Sequence, residues 1–156
     1  MANINENSAI RVALGSATSG GAVVPIDSAN PLPMVAPVLA TAGGLSTFRR
    51  VATADTNAVV VKAGPGRVYG YVIANPSATV KFVRLYNKLA APAPAADAAL
   101  IIRSIMIPAG GVVSYHAPAG LGGFAAGIGI AASGLIADND VTALVAADLL
   151  IQIDYA

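Results

Sequence analysis

The residues able to do chemistry are few, and His116 is the only histidine in the chain. It follows Ser114 and Tyr115, which would supply a nucleophile and a proton relay if the three side chains met. Neighbouring residues of a strand point to opposite faces, however, so this order cannot form a relay. No Asp or Glu lies near His116 in the sequence to orient it or to share a metal ion. We therefore expect a structural or surface histidine, no catalytic residues and no enzyme.

Two other motifs could bind a ligand. The run Asp138-Asn139-Asp140 offers oxygens to calcium, but a calcium loop needs further ligands, and no acidic residue follows before Asp148. An Asx-type turn is the favoured interpretation. Residues 120–129 are rich in glycine, but they lack the Lys and Ser/Thr of a phosphate loop. Tight packing in a sheet explains these glycines better, so we predict neither a metal site nor a cofactor.

Four aromatic residues, Tyr69, Tyr71, Phe82 and Tyr86, could stack on nucleic-acid bases. Base stacking is usually combined with a basic surface. The formal net charge is only +1, and Arg49-Arg50 is the only adjacent basic pair. Core or interface packing is therefore the favoured role of the aromatic residues, and we expect no nucleic-acid partner.

The composition calls for a physical explanation, because charged residues are 11% and hydrophobic residues 56% of the chain. Ordinary soluble domains have about 25% charged residues. Either other chains bury much of the surface, or part of the chain lies in a membrane. The uncharged segment at residues 119–137 is long enough to span a membrane as a helix. Its glycines and its alternating apolar residues, however, are typical of a strand. The first residues lack the pattern of a signal peptide, and the chain has no cysteine. We expect a protein that is made in the cytoplasm and packed against other subunits, without a membrane partner.

The chain divides into two parts by composition. Residues 1–50 are rich in Pro, Gly and Ala, and apolar residues recur among the prolines. Such a segment forms no core of its own, so we predict an extended N-terminal arm that orders on another surface. A terminus that packs on nothing is the alternative. Residues 51–156 are predicted to form the compact domain.

Eight strands are predicted in that domain: residues 58–62, 67–74, 80–86, 100–107, 112–116, 124–131, 141–145 and 149–155. Two of them are expected to pair as a hairpin within residues 64–87, and the Pro-containing residues 88–97 are expected to be a loop. Many short strands with turn signals between them indicate an all-β fold, an antiparallel β-sandwich or barrel.

The side-chain pattern differs between strands. In residues 149–155 apolar and polar residues alternate, which predicts one buried face and one wetter face. Residues 80–86 and 100–107 do not alternate in this way, and Lys81 and Arg84 fall on opposite faces of their strand. We expect a neighbouring subunit or the arm to cover the second face of these two strands.

Several turn motifs resemble those of a set of tailed-bacteriophage and prophage virion structural proteins. They are KAGPGRVYG at residues 62–70, RLYNK at 84–88, IPAGG at 107–111, the strand that begins FAAGIGI, and the turn ADNDVTA at 137–143. The resemblance covers residues 56–156, and the linker-like IDSANPLP at residues 26–33 adds to it. It implies a β-sandwich, no catalysis, and assembly with other capsid or tail proteins. The short N-terminal part favours a small accessory protein over a long fibre.

The resulting hypothesis is a capsid decoration or cement protein of the virion. It would be a jelly-roll-like β-sandwich and a homo-oligomer, with a trimer expected, bound to the major capsid protein or other virion proteins. The alternative is a tail, collar or fibre-associated protein with host-surface or glycan binding. The residues predicted to take part in assembly or anchoring are Arg49, Arg50, Pro31, Pro33, Tyr69, Tyr71, Arg84 and Arg103.

Overall fold

The computed structural model describes residues 44–156, and the regular secondary structure of this part of the chain is mostly β. Its nine strands are β1 (Ser46–Val51), β2 (Val59–Lys62), β3 (Gly66–Ala74), β4 (Lys81–Asn87), β5 (Ile101–Ile107), β6 (Val112–His116), β7 (Gly123–Phe124), β8 (Ile128–Ser133) and β9 (Leu150–Tyr155). One helical turn, α1 (Pro94–Asp97), is followed by a 3₁₀ turn at Ala98–Leu100. The predicted all-β fold class is confirmed.

The strands form two antiparallel sheets. The five-stranded sheet has the order β1-β9-β3-β6, and the short strand β7 also pairs with β3. The four-stranded sheet has the order β2-β8-β4-β5. Within residues 44–156, β4 and β5 are the only consecutive strands that pair with each other, so the chain passes repeatedly from one sheet to the other.

One hydrophobic core lies between the sheets. Ile151 and Ile153 of β9 enter it from the five-stranded sheet, and Val83 and Leu85 of β4 enter it from the four-stranded sheet. All four side chains are at most 1% exposed. Burying a side chain of this size stabilises a fold by about 1.5–3 kcal/mol. The alternation predicted for residues 149–155 is confirmed, because every second residue of β9 faces this core.

The predicted hairpin within residues 64–87 is wrong. Its two strands exist as β3 and β4, but they belong to different sheets. Asn75 directly follows β3 and is 1% exposed. Its Nδ2 donates to the carbonyls of Thr79, Ile107 and Pro108 at 2.9–3.1 Å. The Asn75-Pro76-Ser77 turn therefore joins the sheets and is tied to the end of β5.

Other boundaries differ from the prediction. Ser46–Val51 forms the strand β1 although the arm was expected to extend to residue 50, and residues 124–131 are divided between β7 and β8. Residues 141–145 form no strand, because their backbone groups bond elsewhere: Thr142 N donates to Asp140, Leu144 N to Asp55 O, and Val145 N to Asp148. The helical turn α1 begins with Pro94, a position where the missing N–H costs nothing. The rest of the predicted arm lies outside the described residues.

Among residues 44–156, no helix is both long and apolar enough to cross a membrane.

Candidate assembly surface

The two sheets differ in how their outer faces are covered. In β4, Phe82, Arg84 and Tyr86 alternate with the core residues Val83 and Leu85, so they face away from the core, yet all three are buried. The loop at residues 88–100 lies against Gly129, the register partner of Tyr86, and Arg84 contacts the loop at residues 134–142. The expected second cover of β4 therefore exists, but the chain itself supplies it.

Arg84 holds the second of these loops, which we call the clamped loop (residues 134–142). Its side chain is 1% exposed, and Nη2 donates to the carbonyls of Leu135, Ile136 and Ala137 at 2.6–2.9 Å. Nη1 donates to Ser133 Oγ at 2.6 Å. A guanidinium can satisfy several carbonyls at once because its donors are fixed in one plane. The backbone of Leu135–Ala137 is thereby fixed against β4.

Asp140 holds the same loop from its other end. Its carboxylate accepts hydrogen bonds from Leu135 N at 2.8 Å, Thr142 N at 3.0 Å and Thr142 Oγ1 at 2.7 Å. Burial raises the pKa of Asp140, but these hydrogen bonds together outweigh it and lower the pKa to about 2. The Asx-type turn predicted for residues 138–140 agrees with these bonds.

The clamped loop presents two large apolar side chains to solvent. Its carbonyls point towards Arg84, while the side chains of Leu135 and Ile136, which we call the apolar tip, are 59% and 75% exposed. Asp138 Oδ1 is 3.4 Å from Ser104 Oγ of β5, so the loop lies beside this edge strand. Met106 of β5 is 58% exposed. Met106 pairs with Phe82 and so faces the same side of the four-stranded sheet as Arg84, which fixes the backbone of the apolar tip.

The other covering loop closes over Tyr86. Lys88 Nζ forms an ion pair with Asp97 Oδ2, which also accepts a hydrogen bond from Ala93 N. That backbone bond, and then the Lys88 contact, lower the pKa of Asp97. Tyr86 is fully buried, and its hydroxyl has no hydrogen-bond partner among the described residues. Burial raises the pKa of Tyr86, against a smaller lowering effect of Arg84, so the phenol stays neutral.

The outer face of the five-stranded sheet is not covered by residues 44–156. Three rows of side chains cross it in register. The first row is Thr47, Asp154, Gly70 and His116, the second is Arg49, Gln152, Val72 and Ser114, and the third is Val51, Leu150, Ala74 and Val112. We call the third row the apolar row. It borders a concavity of about 370 Å³ that is also lined by Asn75, Pro76 and Gly111.

His116 lies in the first row, on the face opposite Tyr115. The Cβ position of Gly70 is 3.4 Å from His116 Nδ1 and 3.6 Å from Asp154 Oδ2, so the imidazole and the carboxylate flank this glycine. Asp154 Oδ1 accepts a hydrogen bond from Thr47 Oγ1 at 2.6 Å. Tyr115 instead stacks on Tyr71 on the inner face, with ring centroids 6.0 Å apart. Tyr115 therefore lies on the face opposite Ser114 and His116, as the alternation along a strand predicts.

The predicted site residues do not come together. Arg49 is exposed in the second row, whereas Arg50 faces inward and donates to Asn57 Oδ1 at 3.0 Å. Arg103 is exposed on the edge strand β5, next to Ser104. Arg84 is buried, and the hydrogen bonds described above are internal. Its effect on any partner would be indirect, through the clamped loop.

The remaining predicted residues divide into two groups. Tyr69 and Tyr71 are 8% and 7% exposed; Tyr71 packs in the core between the sheets, and Tyr69 is buried as well. Pro31 and Pro33 lie outside the described residues. The glycines at 127 and 129 serve close packing, as predicted: a Cβ at Gly127 would lie 2.8 Å from Leu89 Cα, and one at Gly129 would lie 2.9 Å from Pro92 Cγ.

Three polar residues that hold loops were missed by the sequence analysis. Asn57 is fully buried in the left-handed region (φ 52°) and bonds Arg50, Thr53 and Asp55. Asn adopts positive φ more often than most residues do, so its residue type was the available signal for a turn at position 57. Lys81 Nζ lies 2.8 Å from Asp148 Oδ2, and the two side chains are 10% and 12% exposed. Their separation in the sequence gave no signal for this pair.

Within residues 44–156, no group of three or more His, Cys, Asp or Glu side chains is placed to hold a metal ion. Comparison of the chain with protein-family models, with curated proteins and with solved structures gave no match.

Proposed function

We propose that this chain is a structural protein of a tailed-bacteriophage virion, and specifically a capsid decoration or cement protein. The observation that carries the proposal is the apolar tip. Leu135 and Ile136 are the kind of side chains that a folded chain buries, yet they are 59% and 75% exposed on a loop that Arg84 and Asp140 hold in place. Such a surface favours a contact with another protein.

The rigidity of the loop matters for binding. Ordering a loop when it binds costs free energy, and a loop that is already ordered avoids that cost. Apolar area contributes about 25 cal/mol per Å² when it is removed from water. A small surface repeated over many copies on a shell can therefore add stability to the whole particle. This is the mechanism that we assign to the protein.

The strand order supports a β-sandwich of the jelly-roll type. Strand β1 lies beside β9, β2 beside β8, β3 beside β6, and β4 beside β5, so the chain resembles one long hairpin rolled into two sheets. This nesting is the pattern of a jelly roll, a fold found in viral capsid and lectin domains. By analogy with those domains, the jelly-roll strand order favours a binding or structural role over an enzymatic one. The turn motifs that resemble those of virion proteins favour the same role.

The partners that we propose are further copies of this chain, as a trimer, and the major capsid protein or another virion protein. Fourteen large apolar side chains of residues 44–156 are more than a third exposed, and apolar surface of this kind is what further subunits would cover. Arg49 and Arg103 are exposed and available as polar anchors. The alternative function, a tail, collar or fibre-associated protein that binds a host surface or glycan, fits the lectin-like analogy.

Copy number in intact virions tests the proposal. The chain would be quantified against the major capsid protein on a gel of purified particles, and a cryo-EM map would locate it. We expect a copy number that scales with the capsid subunits, and density on the shell. A copy number that matches a tail component would support the alternative, and absence of the chain from particles would contradict both.

A further inference from the structure

The edge strand β6 differs from the other edge strands of the two sheets, which are β1, β2 and β5. Charged residues, prolines and bulges are the usual features that keep a sheet edge from pairing with another chain. β1 contains Arg49 and Arg50, whereas β2 and β5 each contain a basic residue, Lys62 or Arg103, and a shift in register. β6 contains no Lys, Arg, Asp, Glu or Pro, and its register with β3 is continuous. It is therefore the edge with the least protection against pairing.

The hydrogen bonds at the two ends of β6 show which of its backbone groups stay open. Asn75 N donates to Gly111 O at 2.8 Å, and Ala117 N donates to Tyr69 O at 2.7 Å. In an antiparallel pair, residues that bond the neighbouring strand alternate with residues whose N–H and C=O groups point away from it. The residues of β6 that point these groups away from β3 are Val112, Ser114 and His116. Within residues 44–156, no strand pairs with β6 on this side.

A second copy of β6 matches these open groups in one register. If two β6 strands run antiparallel with Ser114 opposite Ser114, then Val112 of each copy lies opposite His116 of the other. Every open residue is then in a hydrogen-bonded pair, and each such pair exchanges two backbone hydrogen bonds. The same register places no like charges opposite each other, because β6 has no Lys, Arg, Asp or Glu.

The side chains also suit a contact between identical strands. Val113 of one copy lies opposite Tyr115 of the other, and a pair of an aromatic and a β-branched residue stabilises a sheet. Tyr115 is 49% exposed although it stacks on Tyr71, so it has area left to bury. Ile102 of β5 is 45% exposed, and its Cγ2 lies 3.6 Å from the Cβ position of Gly122, in the loop after β6. Apolar area is therefore exposed beside this edge.

We propose that β6 pairs with β6 of a second copy of this chain, so that the two five-stranded sheets become one continuous sheet about a twofold axis. Such a contact is closed after two copies. Contacts that bury less than about 1,200 Å² are typical of weak, reversible complexes, and two five-residue strands make a small contact, so the pair should dissociate on dilution. A threefold contact through another surface would combine with it into a hexamer. The inference concerns the isolated chain and does not depend on the virion role.

A proline at position 114 tests the pairing in the full chain. The N–H of Ser114 points away from β3, so Ser114→Pro keeps the bonds between β6 and β3, and prolines are found at such positions of edge strands. Sedimentation over a series of concentrations should show that the natural chain associates in pairs. The dissociation constant should be at least about tenfold higher for Ser114→Pro, because each pair loses two backbone hydrogen bonds. If the natural chain is a hexamer, Ser114→Pro should reduce it to a trimer.

Charges at the same position test the register without a proline. Ser114→Lys alone and Ser114→Asp alone place like charges opposite each other, whereas a mixture of the two variants places opposite charges there. We expect the mixture to associate at least about threefold more tightly than either variant alone. Ser104→Lys and Ser104→Asp are the matched controls, because Ser104 is also exposed on an edge strand, and their mixture should show no such preference.

Three results would overturn the proposal. They are a natural chain that stays monomeric at every concentration, a folded Ser114→Pro variant that associates like the natural chain, and a mixture of charged variants without preference. Hydrogen exchange gives an independent readout, since the amides of Val112, Ser114 and His116 should gain protection as the concentration rises. Full protection of these amides in a monomer would assign the edge to another part of the same chain and would also overturn the proposal. None of these results bears on the copy number in virions, so the two proposals can fail separately.

Discussion

Arg84 shows how a single residue can act on a surface that it does not itself reach. The sequence placed it among the assembly residues, and its strand position predicted the face opposite Lys81 correctly. Its partners could not be predicted, because the carbonyls of Leu135, Ile136 and Ala137 are more than fifty residues away in the sequence. A buried arginine in an apolar strand indicates only that some acceptor must be near.

Replacing Arg84 by Met is expected to lower the free energy of unfolding by about 2–4 kcal/mol, because three partly buried carbonyls and the buried Ser133 hydroxyl lose a charged donor. Urea denaturation measures this loss. The clamped loop should also become sensitive to cleavage after Leu135 by a chymotrypsin-like protease. Arg49→Met, at an exposed position, is the control and should change stability by no more than about 0.5 kcal/mol. Equal unfolding curves for the two variants would contradict the role of Arg84.

Asp140 makes the clamped loop dependent on pH. Its folded-state pKa of about 2 lies below the usual value, so its contribution to stability is complete above the unfolded-state pKa and is lost as the pH falls through about 2. We expect the stability difference between the natural chain and Asp140→Asn to shrink as the pH is lowered from about 4 towards 2. Urea titrations over this range measure it. A difference that is independent of pH would show that the charge of Asp140 is not what matters.

At the scale of elements, most strands could be predicted and their pairing could not. The Val, Ile and Tyr content of residues 67–74 and 80–86 marks strands wherever their partners lie. The Asn75-Pro76-Ser77 break marks only the end of a strand. The partner of Asn75 at Ile107 is 32 residues further along, so the crossing between sheets had no local signal. The strand predicted at residues 141–145 is wrong for a different reason. Asp140 and Asp148 accept hydrogen bonds from backbone N–H groups that strand pairing would need.

Close packing of loop against sheet predicts a sharp difference between two glycines. A Cβ at position 127 would lie 2.8 Å from both Leu89 Cα and Lys62 O, and these backbone atoms cannot move away cheaply. Gly127→Ala should therefore lower the free energy of unfolding by about 1–3 kcal/mol. Gly123→Ala is the matched control, because nothing lies within 4 Å of its Cβ position. Thermal unfolding of the two variants measures this, and similar midpoints would mean that the loop relaxes freely.

At the scale of the whole molecule, several of the few charged residues within residues 44–156 are paired with each other. Three ion pairs join Lys81 to Asp148, Arg84 to Asp138, and Lys88 to Asp97, so six charged residues are paired with each other. Of these six side chains only Asp138 is largely exposed, at 61%, whereas fourteen large apolar side chains of residues 44–156 are more than a third exposed. Composition alone predicts partners that cover apolar surface, and this stays a prediction. It could not locate the surface, because exposure of Leu135 and Ile136 depends on which way the clamped loop faces.

Binding of the chain to phage particles that lack it tests the central claim most directly. The dissociation constant for binding to the shell would be compared for the natural chain, for the double variant Leu135→Ser with Ile136→Ser, and for Val72→Ser on the five-stranded sheet. We predict that the natural chain and the Val72 variant bind the shell, and that the double variant binds at least about tenfold more weakly because two apolar side chains no longer leave water. Equal binding of the double variant, or no binding of the natural chain to shells, would contradict the account.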